Sequence, residues 1–449
     1  DAKNMSDQGR SAQIASPISL HRTMMACAYV HECIREIFLD SSMSGFLGTV
    51  VIGSVAYLGD QAEGCDVDII MLTTRDWPTG CGSLEKLCLL LKGNSRTSAW
   101  TAFVVKARVP ILKCSMVLDG KSWSIDILHT TIAADGSENL SGNAVTLKES
   151  VDLLPTNAAV GLAATLHTHF DRTPSFSRKT LVLVRQWAKN HHVYGSTVGY
   201  PGGSAWAVLL FICCTVTVSP TTVVTLRAFL LWLCDWLTHH SGLPITVHNA
   251  RILNEGGSVA DHADWVGLRH SICRYARVMC ILPFPKDAVD ATTHQRLSDD
   301  CDINMTTTVG PLQHGVLLHE LRCSIKALSD TAILTATEHE TPDLLLVFSH
   351  GEAECCVAHW ISHIEARGLL LLTNQLHLHG LCARILQQPT EVQGELPFRV
   401  AMWLDATQLD HTGLSALINE IFFRVEYQYR QEHQRAPPCS LTVRALHCN

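Results

Sequence analysis

The sequence has no surplus of positive charge, no long apolar run and no Lys/Arg-rich targeting segment. Its 449 residues carry 34 Lys and Arg against 42 Asp and Glu, a formal net charge of −8. No global positive field therefore attracts nucleic acid, and any such contact must be local or mediated by metal ions. The longest apolar run, 205–218, is shorter than the ~20 residues that span a bilayer, so it predicts a buried helix and no membrane partner.

The 18 cysteines form no C-x-x-C motif, the spacing that is usual in structural zinc sites. Cys356, His359 and His363 would share one face of a helix, but no fourth ligand accompanies them, and we expect no zinc there. Most of the cysteines lie in apolar stretches, which predicts buried thiols in a reducing compartment.

The sequence does have the composition of a folded globular chain, with 47% hydrophobic and 17% charged residues. Its length predicts about three domains. The spacing of apolar residues predicts two helices, at 18–39 and 84–91, and three strands, at 49–52, 66–72 and 124–128. A stretch rich in Gly, Ser, Asn and Thr follows at 134–150 and predicts a boundary.

Acidic residues interrupt two of the apolar strands. Asp66 and Asp68 alternate with apolar residues, so both side chains project from one face of their strand. Asp126 lies between two isoleucines, where a carboxylate is costly without a partner. If the two strands pair, the three carboxylates converge and repel one another unless cations lie between them. Two Mg²⁺ or Mn²⁺ ions, ~3.5–4 Å apart on such ligands, are typical of phosphoryl transfer.

Two segments predict contacts with phosphate. Gly53 lets a phosphate approach the backbone, and Ser54 offers it a hydroxyl and an N–H. A basic stripe that includes Arg185 and Lys189 lies on the helix predicted near 177–192. A tyrosine and a Gly-rich turn follow it and lead into a new helix, whose first N–H groups can hold an anion. A basic stripe is also typical of an ordinary solvated helix face, so the stripe alone does not decide between the two interpretations.

Three segments carry a family resemblance. Residues 53–72, GSVAYLGDQAEGCDVDIIML, resemble the signature of the DNA polymerase beta-like nucleotidyltransferase superfamily. Residues 108–130, RVPILKCSMVLDGKSWSIDILHT, and 181–210, LVLVRQWAKNHHVYGSTVGYPGGSAWAVLL, are similar to eukaryotic nuclear poly(A) polymerases. The resemblance is clear over about 49–240 and weaker beyond.

The resemblance implies a polynucleotide adenylyltransferase, which adds AMP from ATP to the 3′-hydroxyl of RNA without a template, as in mRNA polyadenylation. Asp66, Asp68 and Asp126 would be its catalytic residues and the ligands of its two metal ions. The implied nucleotide-binding residues are Ile52, Gly53, Ser54, Asn157, Arg185, Lys189, Tyr194, Gly203 and Ser204. Arg185 stands where the family has lysine, and a planar guanidinium does not replace an ammonium group one for one.

The same resemblance implies an α+β chain of three domains. A nucleotidyltransferase catalytic domain with a mixed sheet and helices would occupy 18–150, and a helical central domain 151–315 together with 1–17. A ferredoxin-like, RNA-recognition-motif-like domain would occupy 316–449. In this last domain four strands are predicted at 344–348, 382–386, 398–404 and 441–446, with helices at 353–371 and 414–434. Arginines near Tyr427 and Tyr429 are candidate contacts for single-stranded RNA.

Two other functions stay open. The chain could be a different RNA terminal nucleotidyltransferase, such as a uridylyltransferase, because the carboxylates do not select the base. It could also be an inactive member of the superfamily that serves as an RNA-binding scaffold, although the presence of all three carboxylates argues against this. The C-terminal extension favours the nuclear poly(A) type. Expected partners are ATP, an RNA 3′ end and cleavage and polyadenylation factors, and the expected chain is a monomer in the nucleus.

Overall fold

The fold is described from a computed structural model. The structure describes residues 17–41, 45–53, 55, 66–74, 77–78, 81–106, 110–131, 177–216, 223–239, 244–245, 280–281, 309–327, 333, 344–350, 360, 363–378, 383–388, 395–404, 411–433 and 439–445. Two predicted nucleotide-binding residues, Ser54 and Asn157, and the predicted boundary at 134–150 lie outside these ranges.

A five-stranded mixed sheet forms the first unit, in the order β1-β2-β5-β4-β3. Strands β2 and β5 are parallel, and the other pairs are antiparallel. Helix α1 precedes the sheet and helix α2 lies between β2 and β3. The elements are α1 (Pro17–Asp40), β1 (Phe46–Ile52), β2 (Val67–Thr73), α2 (Cys81–Gly93), β3 (Thr101–Val105), β4 (Ile111–Leu118) and β5 (Lys121–Thr131).

The sheet is anchored by apolar residues that face the helices. Along β2 every residue except Asp68 is buried, and Ile125 and Ile127 on either side of Asp126 are fully buried. On α1 the ring of Phe38 packs against that of Trp77, with 4.5 Å between centroids. The two acidic positions are therefore fixed by strands whose remaining side chains are held in the core.

Helices make up the described part of the next unit, as the sequence predicted. They are α3 (Arg178–Asn190), α4 (Gly203–Val216), α5 (Leu226–His239) and α6 (Pro311–Lys326), and two short strands, β6 (Pro244–Ile245) and β7 (Cys280–Ile281), pair in parallel. Helix α4 is buried on nearly all sides, which agrees with its uniformly apolar sequence. None of the described helices is long and apolar enough to cross a membrane.

Buried polar contacts fix α3 against α6. The indole Nε1 of Trp187 donates to the hydroxyl of Ser324 over 2.8 Å. At the end of α3, Nδ1 of His191 lies 2.8 Å from a carboxylate oxygen of Glu320, and both side chains are almost fully buried. These contacts satisfy polar groups that would otherwise be costly inside the core. The helix that carries the predicted basic stripe, α3, is therefore held against α6 by buried hydrogen bonds.

Substitution of the core residue Leu209 by alanine is expected to lower the free energy of unfolding by about 3 kcal/mol. Leu209 is fully buried in α4, so truncation removes apolar contacts and leaves a cavity. Chemical denaturation followed by circular dichroism measures the change. Leu231→Ala on α5 is the matched control, because Leu231 is 46% exposed. Equal losses in the two variants would contradict the packing described for α4.

The C-terminal unit has the predicted strand and helix order, β-α-β-β-α-β. Its antiparallel sheet has the order β11-β8-β10-β9. The elements are β8 (Leu344–His350), a π-helical turn (Ile364–Gly368) that continues into α7 (Leu369–Leu378), β9 (Ala383–Gln388), β10 (Glu395–Leu404), α8 (His411–His433) and β11 (Cys439–Ala445). The described helical segment extends to Leu378, whereas the sequence predicted an end near residue 371. An RNA-recognition role for this unit, and the domain boundaries, stay predictions.

The proposed RNA contact at Tyr429 is wrong. Its side chain is fully buried, and its ring packs edge-on against Trp360 with 4.8 Å between centroids. Tyr429 therefore belongs to the core in which α8 contacts Trp360. Tyr427, two residues earlier, is 58% exposed, since residues two apart lie on different faces of a helix.

Candidate active site

The paired strands β2 and β5 bring two of the predicted catalytic carboxylates together. Asp68 and Asp126 are direct partners in the parallel register, and neighbouring strands lie about 4.8 Å apart. Asp66 does not lie in the strand as predicted. It immediately precedes β2 and is exposed. The ladder thus fixes the positions of Asp68 and Asp126, whereas Asp66 lies one residue outside it.

The three carboxylates influence one another electrostatically. Burial, followed by the charges of Asp126 and Asp66, raises the pKa of Asp68 from 3.8 to about 7. Burial also raises the pKa of Asp126, and the nearby Lys113 partly offsets this shift. Like charges in a poorly hydrated place disfavour ionisation. The cluster is therefore short of positive charge.

Gly53 makes room for the central carboxylate. Its φ is +67°, a left-handed conformation, and a Cβ at this position would lie 2.0 Å from Oδ2 of Asp68. Only glycine adopts this conformation and this close approach without strain. Ile52, the residue before it, is nearly buried and is the register partner of Asp68 across β1 and β2. The predicted phosphate contact of Gly53 is untested, and its role in seating Asp68 was missed.

Lys113 is a residue of the cluster that the sequence interpretation missed. It lies on β4 directly opposite Asp126, and its Nζ is 3.6 Å from Oδ2 of that carboxylate. A signal for it exists in the sequence. Asp119-Gly120 forms a two-residue turn with positive φ at both positions, typical of a tight hairpin. Counting back from that turn places Lys113 across from Asp126.

The donor set suits a hard divalent cation. Carboxylate oxygens are the ligands that Mg²⁺ prefers, and Oδ1 of Asp126 is buried and accepts no hydrogen bond from any described residue. Within the described ranges, however, no three His, Cys, Asp or Glu side chains form a group that could hold a metal ion as they lie. The third predicted ligand, Asp66, is not held by the ladder. Binding of two ions by all three residues stays a prediction.

A basic surface on α3 accompanies the carboxylates. Arg185 acts electrostatically on Asp68, since its charge lowers the pKa of that carboxyl against the larger raising effects. Its Nη2 donates to the hydroxyl of Tyr194 over 3.0 Å. Nζ of Lys189 lies 5.3 Å from the centre of the same tyrosine ring, within the range of cation–π attraction. Two predicted nucleotide-binding residues, Arg185 and Lys189, thus both lie next to a third, Tyr194.

The first turn of α4 closes this surface. Gly203 is its first residue, and a Cβ there would lie 2.7 Å from the Tyr194 hydroxyl and 3.3 Å from Nη2 of Arg185. The absence of a side chain at Gly203 therefore lets these two groups meet at the helix start. Ser204 follows and is partly exposed. Backbone N–H groups in the first turn of a helix lack intrahelical partners and attract anions.

The turn before α4 is shaped by a second glycine. Gly199 has a φ of +86°, and a Cβ there would lie 2.7 Å from the side-chain nitrogen of Gln313 on α6. Gln313 is buried, and its side-chain oxygen accepts a hydrogen bond from the backbone N–H of Gly310 over 3.1 Å. The Gly-rich segment therefore packs against α6 through the buried side chain of Gln313.

Part of the chain matches a known protein family. Residues 176–260, which include α3 and α4, match the family model of the poly(A) polymerase central domain. A poly(A) polymerase of Candida albicans, PAPa, is 25% identical over 211 residues, which are 46% of this chain and 37% of the Candida protein. The chain is thus similar to poly(A) polymerases over this region. The resemblance predicted from the sequence is thereby confirmed.

The poly(A) polymerase-like chain is also similar to solved structures. A cytoplasmic RNA terminal U-transferase is 12% identical, with a TM-score of 0.45 over 72% of this chain and 95% of that one. Terminal uridylyl transferase 4 from Trypanosoma brucei, with bound UTP and UpU, is 16% identical, with a TM-score of 0.41 over 71% and 97%. Both TM-scores are below 0.5. The aligned region spans about a third of the Candida relative.

Proposed function

We propose that this protein transfers AMP from ATP to the 3′-hydroxyl of an RNA without a template, as in mRNA polyadenylation. The observation that carries the proposal is the register pair of Asp68 and Asp126, which lies close enough to Arg185 for their charges to interact. One cleft would thus hold the reacting oxygens on the carboxylate side and the triphosphate on the basic side. The closest alternative is transfer of UMP. It would use the same carboxylates and the same basic residues and would differ only in the contacts to the base.

Each side would contribute a different part of the reaction. Mg²⁺ ions bound to the carboxylates would activate the 3′-hydroxyl and stabilise charge on the transferring phosphoryl group. Asp68 and Asp126 would hold those ions, and Asp66 would complete the set. Arg185 and Lys189 would bind and orient the leaving pyrophosphate. Correct orientation and a preorganised field supply most of the rate in such reactions.

The first turn of α4 would bind the triphosphate through backbone N–H groups of Gly203 and Ser204. The hydroxyl of Tyr194 holds Arg185 next to that turn, so the guanidinium is already ordered before ATP arrives. Preordering lowers the entropy that binding must overcome. Arginine is therefore an effective replacement for the family's lysine at this position, with the tyrosine as its anchor.

Replacement of Arg185 by methionine is expected to raise the KM for ATP about 10- to 100-fold, because a charge-assisted contact worth about 1.5–3 kcal/mol is lost. Arg185→Lys keeps the charge but not the planar geometry, so an intermediate KM is expected. Steady-state kinetics with an oligo(A) primer measures both. Lys179→Met on the exposed side of the same helix is the matched control. An unchanged KM in Arg185→Met would remove Arg185 from the triphosphate site.

Incubation with an oligo(A) primer, Mg²⁺ and each of the four NTPs in turn tests the proposed function. Extension with ATP, at least about tenfold faster than with UTP, is expected for an adenylyltransferase, since tenfold corresponds to about 1.4 kcal/mol of discrimination. Preferential use of UTP would replace the proposal by uridylyl transfer. No extension with any nucleotide would favour an RNA-binding scaffold. We also propose that the protein is located in the nucleus, which microscopy of the tagged protein in cells tests. We propose cleavage and polyadenylation factors as its partners, which co-purification tests.

A further inference from the structure

A lysine lies inside the carboxylate cluster. Lys113 on β4 is the direct register partner of Asp126 on β5, and its Nζ lies 3.6 Å from Oδ2 of Asp126. The side chain of Lys113 is 28% exposed and that of Asp126 is 14% exposed. Charges as buried as these are screened much less by salt than a surface pair. The interaction is therefore strong enough to influence any cation that binds nearby.

The two oxygens of Asp126 have different surroundings. Oδ2 faces the ammonium group of Lys113, whereas Oδ1 is buried and has no hydrogen-bond partner among the described residues. A buried carboxylate oxygen without a partner is rare in native structures and needs an explanation such as an ion. The geometry thus leaves Oδ1 available to a cation and places the positive charge of Lys113 next to Oδ2.

We propose that the ammonium group of Lys113 competes with the divalent cation for Asp126, so that the free protein binds this cation weakly and nucleotide is required for tight binding. The inference rests on the proposed function for the role of Asp126 as a ligand. Lys113 is a positioning residue in this account. Its charge acts on Asp126 and also on Asp68.

Charge balance explains the competition. When ionised, Asp66, Asp68 and Asp126 contribute three negative charges, and Lys113 offsets one of them before any ion binds. A divalent cation at Oδ1 would lie within a few Å of the ammonium group, and like charges at that separation repel strongly in a poorly hydrated site. The triphosphate of ATP brings additional negative charge and oxygen ligands. Tight binding of the cation would therefore require the nucleotide.

Lys113→Met keeps the length and apolar stem of the side chain and removes its charge. Titration of the nucleotide-free protein with Mn²⁺, followed by the electron paramagnetic resonance signal of unbound Mn²⁺, measures the effect. The variant is expected to bind Mn²⁺ about tenfold more tightly than the parent. Lys113→Arg, which keeps the charge, and Lys121→Met, at the far end of the same hairpin, are expected to match the parent within about twofold.

A second background shows whether the effect passes through Asp126. In Asp126→Asn, replacement of Lys113 by methionine is expected to raise the Mn²⁺ affinity by much less than tenfold, because only the direct repulsion between the ammonium group and the ion remains to be removed. A tenfold gain in that background would overturn the proposal, as would an unchanged or weaker affinity in Lys113→Met alone. Near-ultraviolet circular dichroism checks that each variant is folded, and Lys113→Gln provides a second neutral variant should the methionine disturb the strand.

The outcome for Lys113 can be separated from the outcome for the proposed function. If the parent adds AMP to RNA but Lys113→Met binds Mn²⁺ like the parent, the competition fails and the proposed function stands. If the parent neither extends RNA nor binds Mn²⁺, both fail together. A lower half-saturating Mg²⁺ concentration for extension by Lys113→Met, with an unchanged KM for ATP at saturating Mg²⁺, is the expected kinetic counterpart.

Discussion

Replacement of Asp68 by asparagine is expected to reduce nucleotidyl transfer by at least about 10³-fold, since charge stabilisation by a bound metal ion is worth several kcal/mol. Asp68 is the central carboxylate and is paired in register with Asp126. Its side chain packs against Gly53, where there is no Cβ to collide with it. Asparagine has nearly the same shape but a weaker affinity for a hard cation. Extension of an oligo(A) primer measures the loss.

The same variant is expected to be more stable than the parent at high pH. Burial and the charges of Asp126 and Asp66 raise the pKa of Asp68 from 3.8 to about 7. The folded chain therefore keeps a proton that the unfolded chain releases, so the parent's free energy of unfolding falls as the pH rises from about 4 to about 7. Asparagine removes this fall. Above pH 7, in EDTA, the variant should be more stable by roughly 1–4 kcal/mol.

Asp119→Asn is the matched control for both effects. Asp119 is exposed, lies in the turn between β4 and β5 and has a φ of 52°, a conformation that asparagine adopts readily. Its activity and its stability at each pH should equal those of the parent. Retention of activity by Asp68→Asn, or a stability difference that does not grow with pH, would contradict the position assigned to Asp68.

Replacement of Gly53 by alanine is expected to reduce activity about 10²-fold, because displacement of a catalytic group by about 1 Å has an effect of that size. The added Cβ would lie 2.0 Å from Oδ2 of Asp68 at a residue whose φ is +67°. The carboxylate or the strand must therefore move, and the left-handed conformation costs a further 1–2 kcal/mol or so. Primer extension and thermal unfolding measure the two losses.

Gly82→Ala is the control for Gly53→Ala. Gly82 lies near the start of α2, and a Cβ there would have no neighbour within 4 Å. Alanine in a helix is favoured over glycine, so unchanged activity and a stability gain of up to about 1 kcal/mol are expected. Comparable activity losses in the two variants would show that Gly53 is not a special position.

The fold around the acids could be predicted from local patterns. Alternation of apolar and acidic residues at Asp68 and Asp126 indicated strands, and helical spacing before them indicated α1. The mixed sheet and the helical unit that carries Arg185 followed from the family resemblance. These features depend on short-range periodicity and on contiguous motifs, and both can be recognised in a single sequence without knowing which distant segments pair.

Other parts of the site depend on pairing between distant strands. Asp66 was predicted inside a strand, but the ladder with β5 begins only at Val67, so Asp66 lies at the edge. Lys113 was missed because its role depends on the register of β4 against β5, although the Asp119-Gly120 turn carried enough information to count that register. Tyr429 was misread because residues on an amphipathic helix change from exposed to buried within two positions.

The most direct test of the account is a crystal structure with Mn²⁺ and a non-hydrolysable ATP analogue, with anomalous scattering used to locate the metal. The account predicts Mn²⁺ between Asp68 and Asp126, with Asp66 drawn in and ligand distances near those of Mg²⁺, about 2.1 Å. The triphosphate should lie between Arg185 and the first turn of α4. Mn²⁺ bound away from both carboxylates, or a triphosphate remote from Arg185, would contradict it.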